Sequence, residues 1–171
     1  MHGSIFIGVG ANLSHDQYGT PRQTLEAALA ELGRRGVRVV RLSPWYRTAP
    51  VPASDQPWFV NAVAEMATEL PADALLAELH AVEAAFGRAR TVPNAARAID
   101  LDLLDYQGEI APGGPGRATL PHPRLAGRAF VVRPLADLAP EWRHPVTGQA
   151  IDALVRALPA DQAAERLEEG A

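Results

Sequence analysis

The chain has 171 residues, 47% of them apolar and 21% charged, with a formal charge of −4; that balance belongs to a soluble globular protein long enough for one domain with its own core. It has no cysteine, and all 16 residues of the Lys+Arg count are arginine, which excludes disulfides, thiolate metal sites and cysteine nucleophiles, and equally P-loop, protein-kinase and Schiff-base chemistry, each of which needs its lysine. The net negative charge argues against a general nucleic-acid binder.

Residues 4–11 (SIFIGVGA) read as a buried strand with a glycine-loosened end. Residues 12–16 read as a turn. Thr20 then N-caps a helix with Pro21 at its first position. Leu25, Ala28, Leu29 and Leu32 form its apolar stripe, and Gly33 and Gly36 end it. A second strand is expected over 37–45, with Val37, Val39 and Leu42 facing inward. Residues 46–56, with Pro50 and Pro52, read as a loop long enough to be functional. A third strand over 58–68 puts Phe59, Asn61, Val63 and Glu65 on one face, and Val60, Ala62, Ala64 and Met66 on the other. A second helix over 71–86 buries Leu75, Leu76, Leu79, Val82 and Phe86, and Gly87 stops it. Residues 91–96 form a loop.

The fourth strand carries the clearest chemistry, in the run Arg97-Ala98-Ile99-Asp100-Leu101-Asp102-Leu103-Leu104. Period-2 alternation places both carboxylates on one face and Ile99, Leu101 and Leu103 on the other. Adjacent carboxylates repel unless a cation lies between them, and a hard divalent ion such as Mg²⁺ suits carboxylate oxygens. A metal site beside the Arg97 guanidinium is suited to polyphosphate. A solvated acidic edge strand is the other reading of the pair.

The order β-α-β-β-α-β is the ferredoxin-like pattern, α+β, an antiparallel sheet with two helices on one face and a C-terminal extension. Beyond it, residues 111–116 read as a Pro/Gly turn, and Leu120 to Arg124 as extended chain. Residues 130–138 read as a strand or short helix, and 150–158 as a short terminal helix. Residues 1–171 are expected to form a single domain with no repeat or linker, frayed from about residue 160. The apolar part of residues 4–9 is too short for a secretory signal and no stretch approaches a membrane span, so cytoplasmic residence is expected.

Several side chains add to the aspartates. Glu83, Arg88 and Arg90 gather at the end of the second helix, where arginines can simply favour the dipole. That helix leads through 91–96 into the D-x-D strand, so Arg88, Arg90, Arg97 and the two aspartates can converge at one end of the sheet. His122, fixed between two prolines, and Arg128 flank a short turn and suit phosphate. Asn61 is either a core amide bonded to backbone or a reader of a planar ligand stacked on Phe59, with Phe130 as a second aromatic. His80 reads as a partly exposed helix residue.

Together these motifs resemble the 6-hydroxymethyl-7,8-dihydropterin pyrophosphokinases of folate biosynthesis. The pieces run in order from about residue 5 to 145: Gly10-Ala11-Asn12-Leu13; Ser43 to Thr48 with Pro50; Gln56 to Ala62; Glu83 with Gly87-Arg88-Ala89-Arg90; Arg97 to Leu104; and Pro121-His122-Pro123-Arg124 with Arg128, Phe130 and Pro134-Leu135. The resemblance implies ATP as co-substrate, two Mg²⁺ ions, a pterin substrate and a ferredoxin-like fold. By it, Asp100 and Asp102 hold both ions, Arg88 and Arg97 contact the transferring group, and His122 and Arg128 contact the triphosphate. Glu83, His80, Arg90, Leu103 and Thr119 lie around the nucleotide. Thr48 and Val51 offer mainly backbone contacts to the pterin, Asn61 reads its edge, and Phe59 and Phe130 sandwich its ring. Ala11 and Ala49 depart from a common serine and proline, and Asn94 stands nearest to a tryptophan that some members carry. Loops 12–19, 46–56 and 91–96 are expected to act as lids. A monomer that binds small molecules, with no nucleic acid or membrane partner, is expected. The rival readings are another two-metal phosphotransfer or hydrolytic enzyme, which would form ADP or phosphate, and a non-catalytic ferredoxin-like binding module.

Overall fold

The fold is that of a computed structural model, which describes residues 3–87 and 98–168. Its centre is strand β1, Ile5–Ala11, which pairs antiparallel with β4, Phe59–Ala67, on one side and with β5, Asp100–Tyr106, on the other. Beyond β4 lie β2, Arg38–Leu42, and β3, Tyr46–Thr48, and β8, Ala164–Arg166, closes the far edge against β3. The described residues are thus α+β around one antiparallel sheet, in the ferredoxin-like order.

Alternation sorts the sheet into two faces. Ile5, Ile7, Val9, Ala62, Ala64, Leu101 and Leu103 pack under α1, Pro21–Arg34, and α2, Ala72–Ala85, with Leu25, Leu32, Leu75 and Leu79 completely buried among them. Phe6, Val63 and Leu104 point the other way, under α3, Ala129–Leu138, and α4, Ile151–Arg156. The two expected helices, α1 and α2, thus share one face, and α3 and α4 of the C-terminal extension add a layer on the other. Residues 130–138 form α3 because Val131, Val132, Leu135 and Leu138 make one buried stripe at helical spacing.

The start of α1 follows its sequence closely. Thr20 Oγ1 accepts from Gln23 N–H at 3.2 Å, and Gln23 Oε1 accepts from Thr20 N–H at 3.0 Å, a reciprocal capping box ahead of Pro21. At its other end the helix runs through Gly33 to Arg34, and Gly36 turns the chain with φ +85°.

Five expectations need correction. The strand expected over 37–45 is split: Pro44 has no N–H, and Ser43 bridges the gap by pairing with Val63 through its main chain and hydroxyl, each at 2.9 Å. A register shift between Val39 and Arg41 then turns Leu42 outward, 37% exposed, although Val37 is buried. The loop read from residue 46 begins with strand β3. Residues expected to fray hold β8 instead, and the expected turn at 111–116 lies in a hairpin of β6, Ala111–Gly114, and β7, Arg117–Leu120. Among the described residues, no helix is long and apolar enough to cross a membrane.

Candidate active site

The end of the sheet where β1 leaves and β4 and β5 enter opens into a cleft of about 470 Å³ on the α3 face. Asp100 and Asp102 line it from β5, half-buried, while Ile99, Leu101 and Leu103 are buried on the opposite side of that strand. Strand β1 supplies the floor. Gly10 pairs with Asp100 on one side and Asn61 on the other, and Gly8 pairs in the same way with Asp102 and Val63. At roughly 4.8 Å between strands, the Asp100 and Asn61 backbones stand about 10 Å apart across a glycine that raises no side chain between them.

Asn61 is only 6% exposed, and it lines the cleft. Its Oδ1 accepts from the buried Thr48 hydroxyl. That bond orients the amide, so Nδ2, with its two N–H donors, is directed to the cleft that Asn61 lines. The partner of Oδ1 is thus a side-chain hydroxyl and not a backbone group. Phe59 beside it, Phe130 from the first turn of α3, and Val51 and Ala49 make apolar walls. Thr48 itself lies behind this wall, pinning the amide.

The opposite rim is cationic. The main chain of His122 is tied to the D-x-D strand, its N–H donating to Leu104 O at 2.9 Å. Its Nδ1 accepts from Arg124 N–H at 3.1 Å, so the neutral ring carries its proton on Nε2. Burial pushes this imidazole below its ordinary 6.5; Asp102 draws it back up, while Arg128 and Arg124 lower it further. Arg128 caps α3, stands 5.3 Å over the Phe130 ring, and lies in the field of both Asp102 and Asp100. Among the described residues no group of three or more His, Cys, Asp or Glu gathers to hold a metal. Two carboxylates without a third ligand suit Mg²⁺, which binds through one or two carboxylates and keeps waters and substrate phosphates for the rest.

Other expected site residues fall elsewhere. Glu83 is buried at 2% exposure, and its Oε2 accepts from Leu101 N–H at 3.0 Å, bracing β5 from behind. The Leu103 side chain is in the core of the α1–α2 face, not in the cleft. His80 is exposed on α2, and Thr119 is exposed on the β6–β7 hairpin outside the cleft lining. Arg88, Arg90, Arg97 and the 91–96 loop lie outside the described residues.

Sequence reading missed Gly8, Gly10 and Arg124 as parts of the cleft. Two glycines at alternate positions of an otherwise β-branched strand were the available signal, since they mark a close approach over one face. It also missed a clasp between two loops: Asn12 Nδ2 donates to Gln56 Oε1 at 3.1 Å and to Pro57 O at 3.2 Å. Tyr18 stacks on Phe86 with ring centres 4.5 Å apart, anchoring the 12–19 loop to the end of α2.

Known proteins resemble this chain along most of its length. Residues 6–140 match the family model described as 7,8-dihydro-6-hydroxymethylpterin-pyrophosphokinase. A 2-amino-4-hydroxy-6-hydroxymethyldihydropteridine pyrophosphokinase of Pseudomonas aeruginosa is 39% identical over 91% of this chain and 91% of its own length. One from Synechocystis is 37% identical over 90% of this chain and 75% of its own length. The folic acid synthesis protein fol1 of Pneumocystis carinii is 34% identical over 86% of this chain, which spans only 19% of that protein.

Proposed function

The chain belongs to the 7,8-dihydro-6-hydroxymethylpterin-pyrophosphokinase family, and we propose that its cleft is where that family's reaction runs. It is an ATP-dependent pyrophosphokinase of folate biosynthesis. In the proposed reaction the substrate hydroxyl oxygen attacks the β-phosphorus of ATP. A C–O–P bond forms, the bond from the β-phosphorus to the bridging oxygen of the α-phosphate breaks, AMP leaves with that oxygen, and the hydroxyl proton passes to solvent. Such transfer rests on positioning and charge neutralisation more than on covalent chemistry.

Asp100 and Asp102 are assigned to two Mg²⁺ ions, which when bound neutralise the phosphate oxygens and orient them. His122 donates from Nε2 and Arg128 from its guanidinium to the triphosphate. From the sequence, Arg88 and Arg97 are assigned to the transferring group. Asn61 reads the pterin edge, with Phe59 and Phe130 on either side of the ring and Val51 closing the wall. The chain is taken to act as a single domain, because both helical layers share one sheet, and as a cytoplasmic monomer with no nucleic-acid partner.

The observation that carries this reading is the row Asp100–Gly10–Asn61, which sets a carboxylate and an amide donor on two sides of one open floor. Asp100→Asn and Asp102→Asn test it. Each should keep a cooperative fold, because removing one of two neighbouring like charges relieves repulsion. Each should lose Mg²⁺-dependent turnover by orders of magnitude. Near-normal turnover in either would remove the metal assignment.

A further inference from the structure

Gly10 sits in the middle of the row, and its backbone gives no reason for a glycine. It lies inside a regular strand paired on both sides, and it is not among the residues with positive φ. Any L-residue can adopt that conformation. The space above it is what a side chain cannot share. A Cβ built at Gly10 would overlap Asn61 Nδ2, while its next neighbours, Asn61 Cγ at 3.5 Å and Val60 O at 3.8 Å, are at ordinary contact distance. The conflict is therefore with one atom, the amide nitrogen.

That nitrogen has little room to yield. Asn61 is 94% buried by its neighbours, as its 6% exposure requires, and its Oδ1 is held by the Thr48 hydroxyl. Swinging the amide away from a methyl group at position 10 breaks the Thr48 bond or turns Nδ2 out of the cleft.

We propose that Gly10 is a specificity-determining position, a positioning residue whose missing side chain lets the Asn61 amide face the pterin beside the metal-binding carboxylates. This rests on the assignment of Asn61 to the pterin edge.

The test compares Gly10→Ala, Asn61→Ala and the double variant in the full chain. Binding is read from the pterin's own fluorescence, and separately for a non-hydrolysable ATP analogue with Mg²⁺. Gly10→Ala should weaken pterin binding about tenfold or more, the scale of a lost buried hydrogen bond, with analogue affinity unchanged. In the Asn61→Ala background the same substitution should add nothing, because the atom it displaces is gone. Wild-type pterin affinity in Gly10→Ala, or an undiminished further loss in the double variant, overturns the proposal while leaving the Asn61 assignment standing. Wild-type affinity in Asn61→Ala removes that assignment and the proposal with it. Should Gly10→Ala fail to fold, the double variant must fold; its failure too would place the conflict away from the amide and overturn the proposal.

Discussion

At single residues, two half-buried histidines have consequences that do not depend on substrate. Burial holds His122 and His144 below their ordinary 6.5. The unfolded chain therefore takes up protons near pH 6.5 before the folded chain does. The stability is complete above about that pH and declines as pH falls from 6.5 toward the folded values. Urea midpoints should drop between pH 7.5 and 5.5, and His122→Gln with His144→Gln should remove part of the drop. An unchanged slope in that double variant would mean that neither ring is held neutral. The carboxylate pair was legible at this scale because alternation alone decides which face Asp100 and Asp102 share. The Thr48 bond to Asn61 was not, since it joins two strands 13 positions apart, and no local pattern reports such a contact. Glu83 and Leu103 show the converse: both have the sequence context of a nucleotide site, and both lie in packed positions.

Among elements, the C-terminal segment does more than its composition suggests. Ala164, Glu165 and Arg166 have weak β propensity, so only the waiting edge of β3 makes them a strand. Their neighbour Gln162 accepts from Ala129 N–H and donates to Gly127 O, both at 2.9 Å, while Ala163 O accepts from Ala49 N–H at 3.0 Å. The segment thus grips the start of α3 and the end of β3, the two elements that carry Phe130 and Thr48. Ending the chain at residue 159 should raise the pterin KM several-fold with a smaller change for ATP; equal changes in both would mean the segment acts on the fold as a whole. Tyr46 and Arg166 both bond to Asp137, the ion pair at 2.7 Å. Tyr46→Phe should cost about 1 kcal/mol of stability by urea unfolding. Arg166→Ala should cost less, its side chain being 57% exposed. A larger loss from Arg166→Ala than from Tyr46→Phe would contradict that ordering. The capped start of α1 was readable from Thr20, Pro21 and Gln23 because every partner lies within one turn. Thr20→Ala should cost about 1 kcal/mol in the same assay, and an unchanged midpoint would show the box to be unimportant.

Across the whole molecule, one sheet serves two packed layers and keeps one end of one face open. The helix-bearing sequence 21–86 builds the closed layer, and the cleft lies between the start of α3 and the ends of β1, β4 and β5, which line it together. The β-α-β-β-α-β order of residues 4–106 was legible because each period is local, but the second helical layer was not, since a short apolar run such as 130–138 fits a strand or a helix until its partners are known. What separates pyrophosphoryl transfer from any other use of two aspartates is which phosphorus the substrate attacks. ATP labelled at the β-phosphorus, incubated with Mg²⁺, 6-hydroxymethyl-7,8-dihydropterin and the protein, decides this directly. The label should move to the pterin product, with AMP released in equal amount, and Asp102→Asn should abolish both. Label appearing in ADP, or ATP consumed without label on the pterin, would contradict attack at the β-phosphorus in this cleft.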